Sequence, residues 1–248
     1  MTVVPSLVRS LSMLGLIGLW ALAAWLVDST RLPPPQWVLA SAWQHSLSGE
    51  LPYHLSITLG RVLVSFLLAM TLGTAIGIAM GRYRRLDVAL DGALVLGLNI
   101  PALVTIILCY IWFGLTEVAA ITAVALNKIP TVVVTVREGA RAVDPKLLAV
   151  AHAYRLPSLT TLSAVYLPQL YPYLMAAARG GLALIWKIVL VVELLGRSNG
   201  IGFQLHSYYQ FFDITSILAY TLAFAGVILV IEALIMRPLE RRLTRWRG

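Results

Sequence analysis

The sequence predicts an all-α membrane protein of six transmembrane helices, and three observations carry that prediction. Of 248 residues, 59% are hydrophobic and only 12% are charged, with a mean hydropathy of +0.84. A soluble domain runs at about 45–50% apolar and about 25% charged, so an ordinary globular enzyme or a disordered chain is excluded. Six runs with few or no charges occur at 11–27, 62–81, 92–113, 118–136, 173–195 and 214–236. Each is close to the roughly 20 residues a helix needs to cross a hydrocarbon core about 30 Å thick. The basic residues then alternate by side. Arg9, Arg82, Arg84, Arg85, Arg137, Arg141, Lys146, Arg155, Arg237, Arg241, Arg242, Arg245 and Arg247 belong to the termini and even-numbered loops. Only Arg31, Arg61 and Arg197 fall opposite. This bias predicts that both termini are cytoplasmic. The net charge of +8 therefore reports topology, not a nucleic-acid partner.

The elements follow in order. Arg9 and the apolar run after it resemble a signal peptide, but Trp20, Trp25, Asp28 and a proline run replace a small-residue cleavage site, so a retained first span is expected. Leu32-Pro33-Pro34-Pro35 reads as a stiff turn into a short interfacial helix over 36–48, with Trp37 and Trp43 at headgroup depth. In span two, Ala69, Gly73, Gly77 and Gly81 recur every four residues and form a smooth stripe that lets another helix approach, inside the same subunit rather than as a dimer seam. In span three, Gly97, Asn99 and Pro101 interrupt the apolar run. A proline frees a carbonyl, so a kink or break is expected there, and such a break can line a path or merely bend a helix. Spans three and four are joined by almost nothing, around residues 114–117.

The loop 137–168 is long and structured. Asp144-Pro145 reads as a helix start, with Asp as N-cap and Pro at the first helical position. Leu147, Leu148, Ala151 and Tyr154 share a face, Leu156-Pro157 ends that helix, and Ser158 can cap a second one running to Leu167-Pro168. Such a helix–turn–helix either lies on the lipid surface or docks a soluble partner.

Span five carries Arg179, Trp186 and Glu193 at intervals of seven, with Lys187 on a neighbouring face. Lys187 and Glu193 point about 120° apart on a helix and cannot pair directly. Charges inside a membrane are expensive, so each either pairs with another helix or faces a conduit. Asn99, Lys187 and Glu193 are the candidate residues of a translocation path. Gly196-Arg197-Ser198-Asn199-Gly200 matches G-x-S-x-G, which makes a six-span serine protease using Ser198 a remote rival. That chemistry needs a strand-to-helix elbow with a histidine base, whereas this motif follows an apolar helix. No P-loop and no metal-ligand spacing occurs, so no catalytic, cofactor or metal site is expected in this chain. Cys109, the single cysteine, forms no intrachain disulfide.

With these residues in hand, the chain resembles the permease subunits of bacterial ABC importers, of the nitrate/sulfonate/taurine type. Their cytoplasmic motif E-A-A-x-x-x-G-x9-I-x-L-P, aligned on Leu167-Pro168, places Ala149 at the glutamate, Val150 and Ala151 at the alanines, Arg155 at the glycine and Val165 at the isoleucine. Flanking features agree: Pro168 to Pro172, Ala178-Arg179-Gly180, Trp186 to Glu193, Gly200-Ile201-Gly202, Thr58 to Arg61, and the basic C-terminal tail. The resemblance implies a type I importer architecture in the bacterial inner membrane, with 1–248 as one permease domain. It also implies that Asp144, Leu147, Leu148, Ala151, Tyr154, Arg155, Leu167 and Pro168 form the loop that couples to two ATPase subunits, which carry ATP and Mg. A second permease copy and an extracytoplasmic binding protein complete the implied assembly, which would move a small anion or organic acid by alternating access. The alternatives are a secondary transporter or a channel of the same size.

Overall fold

Residues 3–27 and 31–239 are described in the computed structural model, with side chains from residue 11 onward. The side chain of Arg9, Asp28, and the tail from residue 240 with Arg241, Arg242, Arg245 and Arg247 lie outside the described residues. Helix α1 (Val3–Val27) leads to α2 (Pro35–Leu47), α3 (Glu50–Arg82), α4 (Arg84–Asn99), α5 (Ala102–Phe113) and α6 (Glu117–Arg141). The short α7 (Pro145–Ala153) and α8 (Ser158–Thr160) precede a π-helical stretch (Thr161–Tyr166). Then come α9 (Leu167–Gly196), α10 (Ile201–Gln210) and α11 (Ile214–Ile231), which ends in a second π-helical stretch (Glu232–Met236). No strand occurs among the described residues.

Four continuous helices are long and apolar enough to cross a membrane: Glu50–Arg82, Glu117–Arg141, Ser158–Gly196 and Ile214–Leu239. Helices α4 and α5 together make a further, broken span bent by 99°, and Leu11–Val27 is a shorter apolar helix. The break falls where Asn99 ends α4 and Pro101 caps α5. Opposite it, Gly97 sits against Pro130 of α6, so that a Cβ on Gly97 would lie 2.9 Å from the proline ring. Pro130, inside α6, thus packs beside the last turn of α4 before the break.

The structure moves several boundaries. The segment 82–85 is no loop: only Tyr83 separates α3 from α4, and Arg84 and Arg85 are helical. Helix α4 therefore starts eight residues before the expected third span, held by Arg137, whose Nη1 donates to Asp87 at 3.2 Å and Asp91 at 3.0 Å. In the 137–168 segment, Ser158 is the first residue of its helix and not its cap, because Pro157 occupies the cap position. That second helix is not separate either. It runs through Pro168 into span five, because the π-helical turns before Pro168 replace the i→i−4 pattern, with the Leu167 N–H donating to the Leu162 carbonyl.

The glycine stripe of α3 lies inside the subunit, against α6. A Cβ on Gly73 would stand 2.7 Å from Val132 Cβ, and one on Gly77 would stand 2.9 Å from Val136 Cβ. Helix α9 lies against both α3 and α6 and also meets α5 and α10. Its Ile185 and Val189 are fully buried in the main apolar core with Ile106, Val124 and Tyr220. The candidate residues of span five therefore sit on a helix that packs against four others.

Candidate translocation and coupling sites

The 137–168 loop is built as expected at its start. The Asp144 side chain accepts from the Lys146 N–H at 2.8 Å, and Pro145 opens α7. The backbone N–H of Asp144 donates to Gln169 Oε1 at 2.9 Å, which ties the start of α7 to α9. At the other end, the Leu156 N–H reaches the Ala151 carbonyl at 3.0 Å and the Arg155 N–H reaches the His152 carbonyl at 2.9 Å. These are the paired bonds of a Schellman termination, whose left-handed residue is here Arg155 at φ 50°. The chain keeps the sharp turn although an arginine stands where the importer motif has glycine.

Exposure corrects the expected docking face. Ala151 is only 2% exposed and lines a cleft of about 300 Å³ with Leu156, Val165, Pro168 and Gln169, so it holds α7 onto the α9 end and cannot anchor a partner. Leu148 is half-buried and joins the core cluster of Val143 and Tyr166. The face left open comprises Leu147, Val150, Tyr154 and Leu159, with Tyr154 78% and Leu159 80% exposed. Leu167 and Pro168 are half-buried at the start of α9.

The three path candidates are not brought together. Lys187 is exposed on the wall of a cavity of about 400 Å³ between α9 and α11, with Arg179, Trp186, Phe224 and Glu232. Glu232 is engaged by Arg179 at 2.5 Å, and among the described residues no carboxylate pairs with Lys187. Asn99 is exposed at the α4–α5 break, donating to the Val95 carbonyl at 2.7 Å, and does not line that cavity.

Glu193 is a correction: it is fully buried and faces no open path in this structure. It accepts from Arg61 Nη1 at 2.7 Å, from Thr58 Oγ1 at 2.9 Å and from the Gly202 N–H at 2.8 Å. Arg61 turns its other edge to Glu117, at 2.8 and 2.6 Å, and also binds Asn199. Arg197 reaches Glu117 at 2.6 Å. Two arginines and two glutamates thus close a neutral network joining α3, α6 and α9 to the start of α10. The His54 ring accepts from the Gly200 N–H at 2.9 Å, and Gly200 itself has φ 104°. The G-x-S-x-G segment is this turn. Ser198 is exposed and makes no hydrogen bond to a histidine among the described residues.

Sequence reasoning missed the network's basic member. Arg61 looked like an exception to the charge bias, and the signal that could have found it is its spacing of one helical turn from Thr58, which lets both reach one acid. Lys128, in α6, is a second basic residue not singled out from the sequence. It is 2% exposed between α3 and α9, where a Cβ on Gly181 would meet its Cε at 3.2 Å.

A broken third span, a charged helix packed against several others and a structured loop with an open apolar face fit the class of multi-pass membrane transport subunits. Residues 69–245 match the family described as binding-protein-dependent transport system inner membrane component. A Bacillus subtilis (strain 168) protein named for aliphatic sulfonates transport, the permease SsuC, is 33% identical over 94% of this chain and 85% of its own length. The Escherichia coli (strain K12) taurine transport system permease protein TauC is 29% identical, over 90% of this chain and 82% of its own. In fold, the chain matches an inward-facing MetNI methionine ABC transporter at a TM-score of 0.68, with 16% identity, covering 80% of this chain and 98% of the other. The chain belongs to the binding-protein-dependent transport permeases. It is a multi-pass membrane subunit of an ABC importer, and its family implies ATPase and substrate-binding partners.

Proposed function

We propose that this permease carries a small organic anion of the sulfonate kind inward across a bacterial inner membrane. Both termini and the 137–168 segment face the cytoplasm in this reading. Two copies of the chain form the pathway, two ATPase subunits hold ATP and Mg and dock on α7, and an extracytoplasmic protein delivers the anion. Alternating access follows from the linkage of α7 to α9. A displacement of α7 pulls on Asp144, Gln169 and the buried Ala151, and so on α9.

The observation that carries the substrate class is Lys187, a cation on a cavity wall with no carboxylate paired to it among the described residues. Desolvating an anion costs several kcal/mol, and a positive group in the cavity offsets part of that. The relatives named for sulfonates and taurine support the same class. The test is Lys187→Met in the assembled complex. The variant is expected to retain its ATPase and to lower uptake by about tenfold, the scale of one charge-assisted hydrogen bond. Uptake at the wild-type rate overturns the role of Lys187. In parallel, Tyr154→Asp is expected to release the ATPase from a permease that still folds, and normal copurification would overturn the docking face.

A further inference from the structure

A cavity of about 560 Å³ lies under the coupling loop, between the ends of α3 and α6 on one side and α7 and the π-helical stretch on the other. Its walls are apolar, from Ile78 and Leu148 among others, while Arg82, His152, Ser158, Thr161 and Tyr166 supply polar groups. That volume and mixture suit a ligand with a polar head and an apolar body.

Two independent observations say which head. Tyr166 is only 8% exposed, and its hydroxyl has no hydrogen-bond partner among the described residues. A buried donor left unsatisfied is unfavourable, so a ligand oxygen placed there would relieve it. Arg82 and Tyr166 line the same cavity. Arg82, Arg84 and Arg85 form no ion pair among the described residues, because Asp87 is engaged by Arg137 and Arg141, and Asp91 by Arg137. The three arginines also line a shallower cavity that shares Arg82 with this one. The approach is cationic, and Tyr166, with its buried hydroxyl, belongs to the cavity wall.

We infer that this cavity binds the phosphate of an anionic phospholipid from the adjoining leaflet, with Arg82 and the Tyr166 hydroxyl on the phosphate oxygens and an acyl chain along the Ile78 side. The lipid would fill the space beneath α7 and so set how firmly the coupling helix is held against the bundle. The inference rests on the cytoplasmic placement of this end proposed above, where anionic lipids and basic juxtamembrane groups attract one another.

The experiment uses the permease purified with its ATPase in nanodiscs of phosphatidylcholine, with and without phosphatidylglycerol. Native mass spectrometry reads the retained lipid. Wild type is expected to retain phosphatidylglycerol selectively and to couple uptake to hydrolysis better when it is present. Arg82→Gln and Tyr166→Phe are each expected to lower retention by about tenfold, the loss of one hydrogen bond to a charged group. Arg82→Lys is expected to restore part of it, which a mere folding defect would not. Retention equal in wild type and both variants overturns the site. Thermal protection by inorganic phosphate in pure phosphatidylcholine, with no selective phosphatidylglycerol retention, overturns the lipid and leaves a soluble anion as the occupant. Failure of the ATPase to copurify with wild type would refute the docking assignment instead, and lipid retention by the permease alone is read in the same spectra.

Discussion

At Arg155 the chain accepts a left-handed residue that carries a Cβ, a conformation costing about 1–2 kcal/mol outside glycine. The two backbone bonds that end α7 hold it there. Arg155→Gly is therefore expected to raise the thermal midpoint of the purified permease, by the equivalent of about 1 kcal/mol. A fall in midpoint would mean that the arginine side chain contributes more than its backbone costs. Glu193 has the opposite economy. Its burial is tolerable only because Arg61, Thr58 and Gly202 all donate to it. Glu193→Leu strands Arg61 with half its partners and is expected to cost about 3–5 kcal/mol. Thermal unfolding in detergent reads this directly, and an unchanged midpoint would show that Glu117 alone satisfies the guanidinium.

At the scale of elements, the contact of α3 with α6 depends on absent side chains. Gly77→Leu forces its side chain into Val136 and the Val133 carbonyl, each 2.9 Å from where its Cβ would stand, and is expected to destabilise by about 1–3 kcal/mol. Gly226→Ala serves as the control, since nothing lies within 4 Å of its Cβ position. Its midpoint should hold or rise slightly, because alanine favours the helix. The coupling segment follows the same logic. Ala151 is small because α7 must lie flat on the end of α9, so Ala151→Arg would prise the two apart rather than remove a docking contact.

For the whole molecule, the charge bias and the fold make one joint prediction about sidedness. A cysteine introduced as Thr160→Cys should react with an impermeant maleimide only in inverted vesicles, since Thr160 is exposed on the coupling segment. The native Cys109 is 1% exposed and gives little background. Labelling from outside intact cells would overturn the orientation. The network of Arg61, Glu193, Glu117 and Arg197 stands at the opposite end of the bundle from α7. Helix α9 therefore carries the ionic network near one end and the packed α7 at the other.

Local chemistry made the helical class, the short α2, the break near Asn99 and Pro101, and the Asp144-Pro145 start legible in the sequence. Each depends on residues within a turn or two of one another: apolar runs, proline without its N–H, a carboxylate cap. The glycine stripe was legible for the same reason, although its partner was not. What the sequence left open were matters of rotation and distance. Ala151 and Leu147 are four residues apart and share a helical face by spacing, yet one is buried and the other open, because the end of α9 lies against only part of that face. Glu193 and Lys187 both read as charges in a membrane. Only the folded bundle brings Arg61, distant in sequence by 132 residues, against one and leaves the other on a cavity wall. Periodicity fixes which residues share a helix face, but the neighbour that face meets is decided by packing between helices far apart in the chain.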